Sequence, residues 1–375
     1  TINDPWLDGE RAVTIGVHAQ GYDSNRVDLT VIDDDQPARQ TLGGPFAEPL
    51  PAGTYYVVTD WIIPETGSAV VDPGTTLLFD KATALDIRGT FSAKGTSAQP
   101  ILFTSSVPDP KPGDWKGITT QSSVNPHVML DGVTVTSAQT GFWTYGTGSI
   151  SVTNSEIRDS SAYGIEVHGV RDGRSSPQMV NSKVHGSGQA GIFVRASSSG
   201  GPRSGVVGSA IIRRCEIYDN AEAGILVVAT YGPGAGFANG AWASAMADAN
   251  RIHHNKHGII VLAHDPNGTF GSAWAGGDFT NNVIFGNEDR GIDAESYRDG
   301  LLGPLFANNT IVDNGGSGIR HWRNSAVINN NVVRNRRGIE YADDEMLSGR
   351  IAHNNVFNNT GIGLTTHQST ALKRR

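Results

Sequence analysis

The chain has 375 residues, 29 Lys and Arg against 37 Asp and Glu, a formal net charge of -8 and 47 glycines. Its acidic balance, with a pI near 5.7, argues against nucleic acid and anionic membranes as partners. No apolar run approaches the ~18 residues of a membrane-spanning helix, and the single Cys215 cannot form an internal disulfide.

Residues 1–36 hold two alternating stretches, Val13, Ile15, Val17 and Val27, Leu29, Val31, joined by AQGYDSNR and closed by IDDD. The alternation predicts a β-hairpin. The VDLTVIDDD ending resembles the final strand of Calx-β modules. That resemblance implies the C-terminal strands of an immunoglobulin-like sandwich. Asp33, Asp34 and Asp35 have the chemistry for calcium between modules. A solvated acidic linker start is the plainer reading, and no cofactor is expected. The chain opens mid-strand with no signal peptide, so a fragment of a longer exported polypeptide is expected. Residues 37–53, PARQTLGGPFAEPLPAG, read as a Pro/Gly linker.

From Thr54 short strands begin. The stretch down to PGDWKGI at Pro112 to Ile118 resembles the entry turns that start and cap secreted β-helix proteins. A Gly-apolar mark then recurs at Gly117, Gly141, Gly164, Gly191, Gly224, Gly258, Gly291, Gly318, Gly338 and Gly361, in steps of 20 to 34 residues. Such a period means a stacked array. The apolar runs are short and alternate, as at Ile165, Val167 and Ile192, Val194, so the repeating elements are strands. Paired asparagines precede the later marks, as at Asn281-Asn282 and Asn308-Asn309. Asn181, Asn250, Asn282, Asn309, Asn330 and Asn355 are expected to form one column at a bend, where Asn tolerates left-handed backbone and its amide bonds along the axis. Cys215 lies beside such a bend and reads as an inert, partly buried thiol.

These units resemble the right-handed parallel β-helix repeat family, the fold of pectate lyases and other polysaccharide-acting proteins, over roughly residues 54–375. The expected fold is all-β: a right-handed parallel β-helix of about ten or more coils, preceded by a short hairpin. The family resemblance implies a secreted or cell-surface, polysaccharide-active chain; a monomer is expected.

On each Gly-Ile strand the Ile points in and the next residue out. Ile165, Ile192, Ile225, Ile259, Ile292, Ile319 and Ile339 should therefore be buried. One outward column runs Trp143, Glu166, Phe193, Leu226, Ile260, Asp293, Arg320, Glu340. The other runs Tyr145, His168, Arg195, Val228, Leu262, Glu295, Trp322, Ala342. Leu226, Val228, Ile260 and Leu262 form an apolar centre. The loops carrying Phe237, Trp242, Phe270 and Trp274 leave the same strands. They either cover that centre or offer a platform for sugar rings.

Two polar clusters flank the centre. Trp143, Glu166, His168 and Arg195, with Tyr145, make a substrate-binding set; Trp242, Trp274, Tyr297 and Trp322 join them as binding candidates. The second set, Asp293, Glu295, Glu340, His264 and Arg320, is the catalytic candidate. Hydrolysis uses two carboxylates, one acid and one base or nucleophile. A lyase needs a base such as His264, Tyr297 or Arg320, plus a cation to neutralise a uronate. An acid–arginine ladder on a wet surface is the bland alternative. His253, His254 and His257 do not converge in this register, so no metal is expected. The two functional classes are a glycoside hydrolase or polysaccharide lyase using this face, and a non-catalytic carbohydrate-binding or adhesin segment.

Overall fold

The computed structural model describes residues 11–18, 20–21, 24–31, 40–120, 125–145, 148–171, 176–198, 205–231, 240–265, 273–298, 300–322, 324–342 and 350–366, and they are strands, turns and bends. They divide into two compact units, Thr1–Thr41 and Leu42–Arg375. In the first, Arg11–Val17 pairs antiparallel with Asn25–Val31, placing Ile15 opposite Val27. Asp33, Asp34 and Asp35 lie outside the described residues.

The second unit is a right-handed parallel β-helix, stacked as three parallel ladders. Each coil passes through a long-strand ladder, then a short-strand ladder, then the Gly-Ile ladder. One full coil shows the path: Ala273–Thr280, Val283–Phe285, Ile292–Arg298, then Leu301–Ala307 opens the next. Among the described residues the Gly-Ile ladder has twelve strands, from Thr54–Ile63 to Leu364–Thr366. The stretch read as a linker departs from that reading. Gln40–Pro45 pairs with Thr54–Ile63, and Leu42 and Leu50 are buried. Apolar residues spaced among Pro and Gly were enough to recruit it to the solenoid's end.

The inward column is as expected: Ile165, Ile192, Ile225, Ile259, Ile292, Ile319 and Ile339 are at most 1% exposed. The glycine of the mark has a steric cause. A Cβ on Gly258 would stand 2.4 Å from the carbonyl oxygen of Gly291 on the next coil. Only a bare Cα permits that approach.

The asparagines form two buried ladders, one at each bend of the short strand. At the first bend Asn250, Asn282, Asn309, Asn330 and Asn354 stack, each Oδ1 accepting from the preceding member's amide and backbone N–H at 2.8–3.0 Å. At the second, Asn220, Asn255, Asn287, Asn314, Asn335 and Asn359 repeat the pattern. The expected column was one residue off at both ends. Asn181 belongs to the outer, left-handed position, with φ 52°. Asn354, not Asn355, continues the buried column. The left-handed residue and the bonding residue are successive, so two adjacent asparagines are needed where one had been assigned both tasks.

Cys215 occupies a place in the buried column. Its backbone N–H donates to Asn250 Oδ1 and its thiol reaches the Met179 carbonyl at 3.5 Å, as Asn250 Nδ2 reaches that of Ile212. Burial pushes the thiol up to about 11, which makes it inert at neutral pH.

The outer position carries Asn154, Asn181, Asn281, Asn308 and Asn329 with φ between 49° and 58°, but Ala249 holds φ 56° with no amide to help. Left-handed backbone costs an ordinary residue roughly 1–2 kcal/mol. Ala249→Asn is therefore expected to raise unfolding stability by about 1 kcal/mol. A denaturant titration showing no gain would refute that strain.

Candidate functional site

Strand register delivers the first outward column whole and the second as far as Glu295. Trp143, Glu166, Phe193, Leu226, Ile260, Asp293, Arg320 and Glu340 are successive partners, as are Tyr145, His168, Arg195, Val228, Leu262 and Glu295. Leu226 is buried and Val228, Ile260 and Leu262 are half-buried. Phe193 and Leu226 anchor a small apolar cluster on this outer face, with Tyr163 packed against it. The tryptophans do not cover it. Trp242 and Trp274 are partners on the long-strand ladder, where they face out beside inward Ala241, Ala243, Ala273 and Ala275. Strand alternation, not the loop, decides their direction. Phe237 and Phe270 lie outside the described residues.

The first polar cluster is compact and desolvated. Ring centroids of Tyr145 and His168 lie 4.5 Å apart, and those of Trp143 and Tyr145 lie 4.7 Å apart. Glu166 Oε1 lies 3.5 Å from both His168 Nε2 and Arg195 Nη1. Burial raises the Glu166 carboxyl above its ordinary range, against the pull of Arg195. Burial, then Arg195, pushes His168 down to about 4. Burial also raises Tyr145. At neutral pH the site therefore holds a neutral imidazole, a protonated phenol and a guanidinium.

Beside it opens a pocket of about 570 Å³, lined by Asp60, Asp86, Lys116, Thr119, Trp143 and Tyr145. Lys116 pairs with Asp60 at 3.2 Å, and Arg88 forks onto Asp86 at 2.8 and 2.9 Å. The sequence reading missed Asp60, Asp86, Lys116 and Thr119. Thr119 was available from the Gly117-Ile118 mark, whereas the Leu85-Asp86 strand lacks that mark and partners Thr119 only through register.

The second cluster is an ion-pair ladder. Arg320 Nη1 bonds Asp293 Oδ1 at 3.1 Å and Glu295 Oε2 at 3.0 Å. Asp293 also takes Arg290 at 2.9 Å, and Glu340 takes Arg337 at 3.1 Å and the Ser317 hydroxyl at 2.6 Å. Burial alone would raise Glu340, but Ser317 and the nearby guanidiniums outweigh it and hold the carboxyl below its ordinary range. That is the wrong direction for a general acid. Trp322 lies near Arg320, 6.0 Å from guanidinium to ring. His264 and Tyr297 face out on adjacent coils, rings 4.9 Å apart and edge to face. The structure thus brings the five catalytic candidates onto one face, with each of the three acids bonded to an arginine.

Among the described residues no three His, Cys, Asp or Glu side chains gather to hold a metal ion. His253 and His254 do meet, Nδ1 to Nδ1 at 2.7 Å, while His257 faces Asp289 at 3.9 Å. No helix among the described residues is long and apolar enough to cross a membrane.

The sequence profile of the right handed beta helix region matches residues 116–374. The chain belongs to this family. Right-handed β-helix structures resemble it along most of its length. A periplasmic alginate epimerase, AlgG, superposes with a TM-score of 0.50 at 14% identity, covering 82% of this chain and 78% of that one. The pectate lyase Pel9A gives 0.46 at 15%, covering 81% and 80%. PfbA, a surface adhesin of Streptococcus pneumoniae, gives 0.41 at 11%, covering 88% and 86%. At these identities the likeness concerns the β-helix itself. Among curated proteins, no sequence matches the chain.

Proposed function

We propose that the chain is a secreted or cell-surface protein acting on a linear, uronate-containing polysaccharide laid along the Gly-Ile face, with the first cluster as its reaction centre. The observation that carries this reading is a neutral His168 packed between Tyr145 and Glu166, with Arg195 alongside. Abstraction of a proton α to a carboxylate needs those parts. His168 takes the sugar C5 proton. Arg195 exchanges its loose contact with Glu166 for the uronate carboxylate and stabilises the charge that develops there. Tyr145 gives its proton to the departing glycosidic oxygen as the C4–O bond breaks and a C4–C5 double bond forms. The acids of the second cluster, each already bonded to an arginine, then do no chemistry. The likeness to an alginate epimerase, whose name marks it as acting on an acidic polysaccharide, supports the same class of substrate.

A panel of uronate polymers tests this. The expected product is an unsaturated sugar end that absorbs in the ultraviolet. Its formation should fall ~100- to 10,000-fold in His168→Ala. Its rate should rise with pH through about 4 and then level, following His168. Reducing ends without ultraviolet absorption would overturn the proposal and return the chemistry to Asp293 and Glu295. The second reading is a binding module. It is favoured by the guanidinium bonded to each acid of the second cluster. Polymer retention with no product would establish it.

A further inference from the structure

The corner between the long-strand and short-strand ladders faces away from the Gly-Ile trough. It holds a groove of about 550 Å³ in the first regular coils. Its floor is two glycine bends packed closely on each other. A Cβ on Gly95 would stand 2.2 Å from the Gly132 oxygen, and Gly132 has φ 63°. One wall is the turn Thr96–Gln99. The Thr96 N–H donates to the Gln99 carbonyl at 3.0 Å, and the Gln99 N–H donates back to Thr96 Oγ1 at 3.0 Å. A further bond from Gly74 N–H to the Gln99 carbonyl at 3.1 Å ties this wall to the preceding coil. The wall is built, not draped.

The groove's polar side is a rail of exposed side chains. Asn154 Nδ2 donates to Asp131 Oδ1 at 2.8 Å, and Asn181 Nδ2 reaches Asn154 Oδ1 at 3.4 Å. Each amide spends one hydrogen on its neighbour and keeps one to give, and each carbonyl or carboxylate oxygen has lone pairs left over. Glu156 and Lys183, register partners on the short strand, close the far side. Donors and acceptors thus alternate along the axis at the ~4.8 Å coil spacing. Such an array suits hydroxyl groups, which give and take hydrogen bonds at once. Glu156 is offset by Arg158 at 3.9 Å and Lys183 by Glu216 at 3.8 Å, so the lining lysine already has its counter-charge and is a poor partner for an anionic sugar.

We infer that this corner is a second glycan site, taking uncharged oligosaccharides and separate from the trough. It does not rest on the reaction proposed above, because no residue is shared. Calorimetric titration of the whole chain with a cellohexaose, a chitohexaose and a hexauronate tests it. Saturable binding of an uncharged hexamer is expected. Asn154→Gly, which keeps the left-handed backbone, and Lys183→Met, which leaves the bend untouched, should each weaken that binding at least tenfold. Arg195→Met, in the trough, should leave it unchanged. No binding of either uncharged hexamer at millimolar concentration would overturn the inference. So would binding that survives both groove substitutions, or that is lost in Arg195→Met.

Discussion

Asn282→Ala is expected to destabilise the solenoid by about 3–5 kcal/mol. Asn282 Oδ1 accepts from the backbone and side-chain amides of Asn250 at 3.0 and 2.9 Å. Its Nδ2 donates to the Ala247 carbonyl at 2.9 Å and to Asn309 Oδ1 at 3.0 Å. The residue is fully buried, so water does not replace those bonds. Each orphaned buried group costs ~1–3 kcal/mol, and some of that total is recovered by relaxation. The comparison is Asn281→Gly, one residue earlier. Asn281 is exposed, holds φ 57° and donates one side-chain bond, to Asp248 at 2.7 Å. Glycine keeps the backbone there, so a loss below about 1 kcal/mol is expected. Equal losses in chemical denaturation would mean that the buried ladder has no special weight.

Acidification should unfold the protein through its buried histidines. His321 is wholly buried beneath Tyr341, ring to ring at 5.1 Å, with one backbone contact from Trp322 working against the effect of burial. Burial pushes it down to about 4, as it does His168. A base whose folded pKa is depressed binds its proton more readily in the unfolded chain. Stability is therefore full above the unfolded value near 6.5 and is lost as pH falls toward 4. Each histidine should withdraw about 3 kcal/mol between pH 7 and pH 4. Glu166, raised by burial, works in the opposite sense and returns part of that loss as pH falls. The lowered Glu340 adds to the loss once pH drops below the carboxylate range. His321→Phe should remove about half of the histidine contribution. An unchanged pH profile in that variant would show that His321 is solvated in solution.

The outward columns were legible from one rule, alternation after each Gly-Ile mark, and register between coils bears out the first from Trp143 to Glu340 and the second from Tyr145 to Glu295. The rule fails where a strand lacks the mark, which is why Asp86 went unseen. It also fails for Trp242 and Trp274. Both follow an apparent loop from the Gly-Ile strand, yet belong to the next ladder. The extended strands Ala223–Tyr231 and His257–Asp265 consume residues that looked like loop.

Between the two clusters, composition draws attention to the second, whereas the reaction proposed above uses the first. Asp293, Glu295 and Glu340 look like the richer chemistry because acids are conspicuous in sequence. Arg290 and Arg337 lie three residues from Asp293 and Glu340 and bond those carboxylates. That offset was visible in the chain, but side-chain reach is not. Glu166 and His168 looked ordinary by residue type. Their displaced pKa values come from burial, which depends on Tyr145, Trp143 and Arg195 arriving from other coils.

The sequence by itself determined the stacked coils, the inward isoleucines, the bends that need asparagine and the family. Each of these repeats, and a repeat adds the same local preference once per coil until no other packing competes. Only the tertiary structure decided which polar groups on the outer face are neutralised, which are dried out, and where the grooves open. Those properties depend on distances across neighbouring coils and on excluded water. Neither repeats along the chain, so neither leaves a period to read.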